Sequence, residues 1–280
     1  MGGRAVLGAL LGVVLVAVVV SFARCLPKPE EKIEWLRRED AVIVQMKTVS
    51  HWGSRLLAPD FTLYGDGTLI YVRRDASDGL RLLEAHLPPD AIEDLVAFMV
   101  HEGFLNFAYE QPSPDGIRDA PTTFLYVNTT SGANAVRAYA LGIELPVHVG
   151  AEWDQFRRLD EIRERLDEMD PVDIGGRVKG EFIPDAAFLE VGMLEGSARG
   201  DEDLPVWPFP TIRLSDVTRA SRGGELRVEG ELVAGIARAV LQDGQSDLQP
   251  SYREGNGAFL VGYRPLLPYE EHFPEFETPE

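Results

Sequence analysis

Ala5 to Ala23 is a run of nineteen residues without a single charge, bracketed by Arg4 and Arg24. As a helix rising 1.5 Å per residue it would be roughly 28 Å long, close to the ~30 Å hydrocarbon core of a bilayer. Everything after it is polar enough to be soluble. The sequence therefore predicts delivery to a membrane, with residues 1–24 as a transmembrane anchor or signal segment. A secretory signal carries an apolar core of about 7–15 residues and small residues three and one before the cut. Ser21 and Ala23 meet the second condition, with cleavage before Arg24, while the longer core favours an uncleaved anchor through residues 5–23. Cys25 follows an arginine where lipid attachment wants a small residue. As the only cysteine it allows no intramolecular disulfide.

Orientation has two readings. Lysine and arginine counted alone, with Arg24, Lys28 and Lys32 after the span against Arg4 before it, put the C-terminal part in the cytoplasm. The order of charged start, apolar core and small residues is instead that of an export signal, and it places the globular part outside the cytoplasm, in the cell envelope. The chain's net charge of −19 bears on partners. An acidic surface repels phosphate backbones and anionic headgroups, which excludes nucleic acid and leaves cationic partners or metal ions.

Residues 25–40 read as a stalk, with Pro27, Pro29 and a short helix expected around Ile33–Leu36. Residues 41–168 predict a first domain. A β-branched run opens at Ala41, and Phe61 to Val72 forms two short strands about Gly65-Asp66-Gly67, where Asp-Gly tolerates the positive φ of a tight turn. A strand over Leu80–Ala85 leads to a helix with Asp90 and Glu93 at capping-box spacing, Ile92, Leu95, Val96 and Met99 on one face, and Gly103 at its end. A second hairpin about Thr130-Ser131-Gly132 and a helix from Ala151 to about Asp167 repeat the pattern. Residues 174–268 predict a second domain. Strands are expected over Arg177–Ile183, Ala187–Leu194 and Ala258–Tyr263, with a helix over Glu229–Leu241 that turns Leu232, Val233, Ile236 and Val240 inward. Residues 269–280 hold five glutamates and read as an acidic, disordered tail. The fold class is α+β: an N-terminal transmembrane helix or signal, then two small domains of antiparallel sheet with helices packed on one face.

Tyr64-Gly-Asp-Gly-Thr-Leu-Ile-Tyr71, the helix start Leu87-Pro-Pro-Asp-Ala-Ile-Glu-Asp-Leu95, Asp119-Ala-Pro-Thr-Thr123 and the helix closing at Leu166 follow in a familiar order. Over residues 41–168 the chain resembles an uncharacterised family of exported, membrane-tethered bacterial proteins with an FTLYGDGT hairpin–helix domain. Tyr263-Arg-Pro-Leu-Leu-Pro268 resembles the end of a companion C-terminal domain. The resemblance implies export and a non-enzymatic α+β fold. It brings no catalytic residue with it, because the family has none assigned. Arg24 departs from the lipobox cysteine pattern common among its members.

The motifs of enzyme chemistry are missing. His51, His86, His101, His148 and His272 fall in separate predicted elements, and no HExxH, GxSxG, GxxxxGK[ST] or GxGxxG occurs. The sequence therefore predicts no catalytic residue, no cofactor and no metal site. Weak surface Ca²⁺ binding at the acidic stretches Asp167–Asp173 or Glu195–Asp203 competes with solvated loop charge. The aromatics Tyr64, Tyr71, Trp207, Phe209 and Tyr263 are a partner face if exposed and core if buried. The functional expectation is a membrane-anchored, extracytoplasmic binding or accessory module, with an envelope protein as a candidate partner. The alternatives are a hydrolase using dispersed carboxylates, secreted or anchored, and a cytoplasm-facing membrane scaffold.

Overall fold

Five β-branched residues in eight make Val42–Val49 (β1) a strand, and Ile43 through Met46 are buried on both of its faces. On one side it pairs with Phe61–Tyr64 (β2), on the other with Thr122–Thr129 (β5). Thr68–Arg74 (β3), Leu80–His86 (β4), Gly132–Tyr139 (β6) and Arg177–Glu181 (β7) complete a seven-stranded antiparallel sheet of order β6-β5-β1-β2-β3-β4-β7. The structure, a computed structural model, describes residues 33–49, 56–74, 79–114, 116–143, 151–194, 204–220, 224–241 and 250–270. The expected anchor or signal, Cys25, the acidic loop 195–203 and residues 271–280 of the expected tail lie outside these. Among the described residues no helix is long and apolar enough to cross a membrane.

The Gly65-Asp66-Gly67 hairpin forms as predicted, and each of its residues has a separate task. Gly67 takes φ 94°, the left-handed geometry that an L side chain resists. Asp66 closes the turn, its Oδ1 accepting the Thr68 N–H at 2.8 Å and its Oδ2 the Thr68 hydroxyl at 2.9 Å. Gly65 serves a neighbour: a Cβ there would stand 1.8 Å from the Leu36 carbonyl oxygen. That close approach comes from the end of the expected stalk, which forms no helix at residues 33–36. Trp35 is instead buried, with its Nε1–H donating to the Gly65 carbonyl at 3.2 Å, and the Glu34 carbonyl accepts the Thr130 N–H at 3.1 Å. The tips of both hairpins thus grip one extended segment. Burial of the indole outweighs the local helical preference of these residues.

The helix Pro89–His101 (α1) buries Ile92, Leu95, Val96 and Met99 as its spacing predicts, and Gly103 follows it in the left-handed conformation. Its start differs. Pro88 is the N-cap, Pro89 the first helical residue, and Asp90 lies inside the first turn without capping. A proline at this position supplies the helical φ and has no N–H to satisfy. The second long helix, Ala151–Glu168 (α2), buries Phe156, Leu159, Ile162 and Leu166, and Arg165 stacks on Phe98 of α1 at 4.3 Å.

A four-stranded antiparallel sheet follows, of order β10-β11-β8-β9, from Ala186–Met193 (β8), Glu225–Glu229 (β9), Ser251–Glu254 (β10) and Gly257–Pro265 (β11). Leu214–Ala220 (α3) and Glu231–Leu241 (α4) pack their apolar sides on it, around Leu189, Val191, Val261 and Tyr263. Val233, Ile236, Val240 and Leu241 of α4 point inward, whereas Leu232, expected among them, is 38% exposed. The helix begins two residues later than expected, because Glu229 ends β9 and Gly230 makes the turn.

The boundary expected before residue 174 does not part the sheets. Strand β7 pairs with β4 as the last strand of the first sheet, Leu56 bridges to Tyr263 of β11, and Leu267 packs on Tyr64, Ile70 and Leu82. The tail's first two residues are also ordered by contact. Tyr269 meets Tyr64 edge-on at 5.7 Å, and Glu270 Oε2 accepts the Leu267 N–H at 3.1 Å. Replacing Trp35 with alanine is expected to lower stability by about 3–5 kcal/mol, read as a lower urea midpoint at unchanged slope.

Candidate functional site

Asp60 stands immediately before β2, where its backbone is held from both sides. Its N–H donates to the Met46 carbonyl and its own carbonyl accepts the Val72 N–H, each at 2.8 Å. The side chain turns back toward β1, and Oδ2 accepts the Thr48 N–H at 2.6 Å. The carboxyl lines a cleft of about 810 Å³ at the ends of β1, β2 and β3, beside the last turn of α2. Strand register builds one wall, since Met46 pairs with Phe61 and Phe61 with Tyr71, a continuous row across three strands. Leu166 adds to this side, and Leu56, Val72 and Leu80, which pack against the core of the second sheet, line the cleft as well.

Charged groups rim this apolar lining, and most are engaged elsewhere. The Arg73 guanidinium donates to the carbonyls of Asp167 (3.0 Å) and Met169 and lies over the Tyr71 ring at 4.9 Å. It therefore serves the carbonyl end of α2 as a cationic cap. Arg163 donates to Asp167 Oδ2 at 2.6 Å and to Asp160 Oδ1 at 2.8 Å. Asp170 Oδ1 accepts the Val172 N–H at 2.9 Å. Asp60 differs. Among the described residues no arginine, lysine or histidine stands within ion-pair distance of its carboxyl, whose protein partner is Thr48. Burial pushes its pKa up to about 7 against the opposing pull of the Thr48 amide, and the charge of Asp167 adds to the rise. Burial also raises Asp167, against the pull of Arg163 and Arg73.

The structure sorts the residues singled out from sequence. Tyr64, Tyr71, Trp207 and Tyr263 are buried and belong to the core, with Phe209 packed partly buried against Trp207 at 5.0 Å. Tyr71 also lines the cleft. Of the histidines, His86 and His101 end separate elements, while His51, His148 and His272 lie outside the described residues. Within Asp167–Asp173 the carboxylates of Asp167 and Asp170 are turned to Arg163 and to backbone. No group of three or more metal-ligating side chains occurs among the described residues. Asp60, Thr48 and Arg73 were not singled out. The only local signal is a carboxylate set directly before an apolar strand, in Pro59-Asp60-Phe61.

Asp60 makes stability depend on pH in a definite direction. Its folded pKa of about 7 lies above the reference 3.8, so folding favours the protonated carboxyl. Its contribution is fully present below about pH 4 and is lost as pH rises through about 7. Asp60→Asn keeps an acceptor for Thr48 without the charge. It is expected to raise stability by roughly 2–4 kcal/mol at about pH 8 and to change it little at about pH 4, measured by urea unfolding. No family model matches the chain, and comparison with curated proteins and with solved structures finds no match.

Proposed function

We propose that the chain is a membrane-anchored, extracytoplasmic binding module without catalytic activity, and that its ligand site is the cleft lined by Asp60. The observation that carries the reading is a recessed carboxyl, without an ion pair among the described residues, facing a cleft with mostly apolar walls. Such a combination of apolar lining and one well-placed polar group is what small-molecule sites offer. The segments behind the resemblance meet here. Phe61 and Tyr71 of the hairpin, Pro121 of the Asp-Ala-Pro-Thr-Thr stretch and Leu166 of the closing helix all line this cleft. The anchor and the outward orientation rest on residues 5–23 and their signal-like order.

One observation favours a hydrolase as the second reading. Asp60 and Asp167 line the same cleft, and two carboxyls in different surroundings, one without an ion pair among the described residues and one held by Arg163, are the pattern of acid–base catalysis. Binding is preferred because Asp167 is committed to Arg163 and no nucleophile–base pair lines the cleft among the described residues. Two measurements test these readings. The full chain, incubated with chromogenic glycosides and esters, is expected to give no turnover above buffer. Turnover abolished by both Asp60→Asn and Asp167→Asn would establish the hydrolase instead. Protease added to intact cells is expected to remove a C-terminal tag without lysis, and a protected tag would favour the cytoplasm-facing scaffold.

A further inference from the structure

We propose that the cleft selects a cationic amphipathic ligand, a primary ammonium or guanidinium group seated on the Asp60 carboxylate with its apolar body against Met46, Phe61 and Leu80. This rests on the reading of the cleft as a ligand site and names the chemistry that site takes.

The argument is one of charge left over. Arg73 is turned to the two carbonyls at the end of α2 and to the Tyr71 ring, which hold it away from Asp60. Asp167 is matched by Arg163. Asp60 is recessed and makes no ion pair among the described residues, with Lys47 acting on it only from beyond ion-pair distance. A buried carboxylate is strongly unfavourable until a cation joins it, so a ligand that brings one gains more there than at the surface. The mouth is biased the same way, because the exposed acids Glu168 and Asp170 lower the potential along the approach. The walls then call for an apolar body behind the cationic head. A bare metal ion does not fit, since no set of three ligating side chains is gathered among the described residues.

Binding should move a proton. Among the described residues, the charged and titratable groups around Asp60 are Lys47 on β1, Tyr71, Arg73 and Arg74 on β3, and Asp167, Glu168 and Asp170 at the end of α2. A cationic head favours ionised Asp60, so near pH 6.5 its binding should release a proton, and its affinity should rise with pH up to about 8. A purely structural Asp60 that serves only the Thr48 amide would do neither.

The test uses the full chain and three probes of one shape: 4-phenylbutylammonium, 4-phenylbutanol and 4-phenylbutyrate. Titration calorimetry at about pH 8 is expected to show the ammonium binding at least about tenfold more tightly than the other two. Near pH 6.5, buffers of different ionisation enthalpy should report proton release. Asp60→Asn is expected to weaken the ammonium about tenfold while leaving the alcohol unchanged, which also shows that the variant is folded. Equal affinity for the alcohol or the anion, or wild-type binding without proton release, overturns the cationic ligand but keeps the cleft as a site. Saturable binding of none of the three overturns the proposal and the cleft reading together.

Discussion

Strand β2 is four residues long, and all four, Phe61 to Tyr64, are buried. Among the described residues no other strand is so short and so fully enclosed on both faces, and much else is fixed by its register. Phe61 lines the cleft, Thr62 meets Gln45 at 3.3 Å on the opposite face, and Leu63 enters the core between Val44 and Leu69. Tyr64 donates its hydroxyl to the Pro268 carbonyl at 2.9 Å, tying the segment that follows the second sheet's last strand to the first sheet. A slip of one residue would exchange the two faces, moving Phe61 from the cleft and Tyr64 from Pro268 at once. Asp60 inherits its place from this strand, because the pairing that sets β2 also fixes the residue before it.

Between the two sheets the chain buries charge as well as apolar surface. Burial lowers the ammonium of Lys47, and Arg264 adds to that fall, while burial raises Glu190 and Glu270. Lys47 feels the charges of Asp60, Glu190 and Glu270 as well as that of Arg264, which also lies over the Phe188 ring at 4.6 Å. Paired charge of this kind favours one alignment of the sheets over others. The cleft is the contrasting case, since its recessed carboxyl feels the charge of Lys47 but makes no ion pair among the described residues. The difference between a satisfied and an unsatisfied buried charge is what separates scaffold from candidate site here.

Local patterns were legible wherever the fold used local rules. The hairpin at Gly65–Gly67, the apolar faces of α1 and α2, and Gly103 after α1 follow from turn chemistry and 3.6-residue spacing. What escaped depends on partners far along the chain. Helix α3 is too short to declare itself, and its first N–H groups, from Leu214 and Ser215, are accepted at 2.9 and 3.0 Å by the Glu254 carboxylate. Burial alone would raise that carboxyl, yet the N–H groups hold it below its ordinary value. Strand β7 was legible as a strand, but its allegiance to β4 was not, because nothing within Arg177–Glu181 names a neighbour some 90 residues earlier. Asp60 was missed for a related reason. Its meaning lies in Thr48, Tyr71 and Asp167, brought together by three separate elements.

The seventh strand of the first sheet has a consequence for how the chain is made. Emerging from the ribosome, the six strands up to Tyr139 would leave β4 as a bare edge, with a row of unpaired backbone groups, until Arg177–Glu181 arrived. Ile70 and Leu82 would wait longer still for Leu267 to cover them. Pairings of such separation carry a large loop-closure entropy and form late. The half-made chain is therefore adhesive along one edge and one face. It has most need of a chaperone in the interval between Tyr139 and Leu267, and the molecule gains its full cooperativity only when nearly all of it has been synthesised.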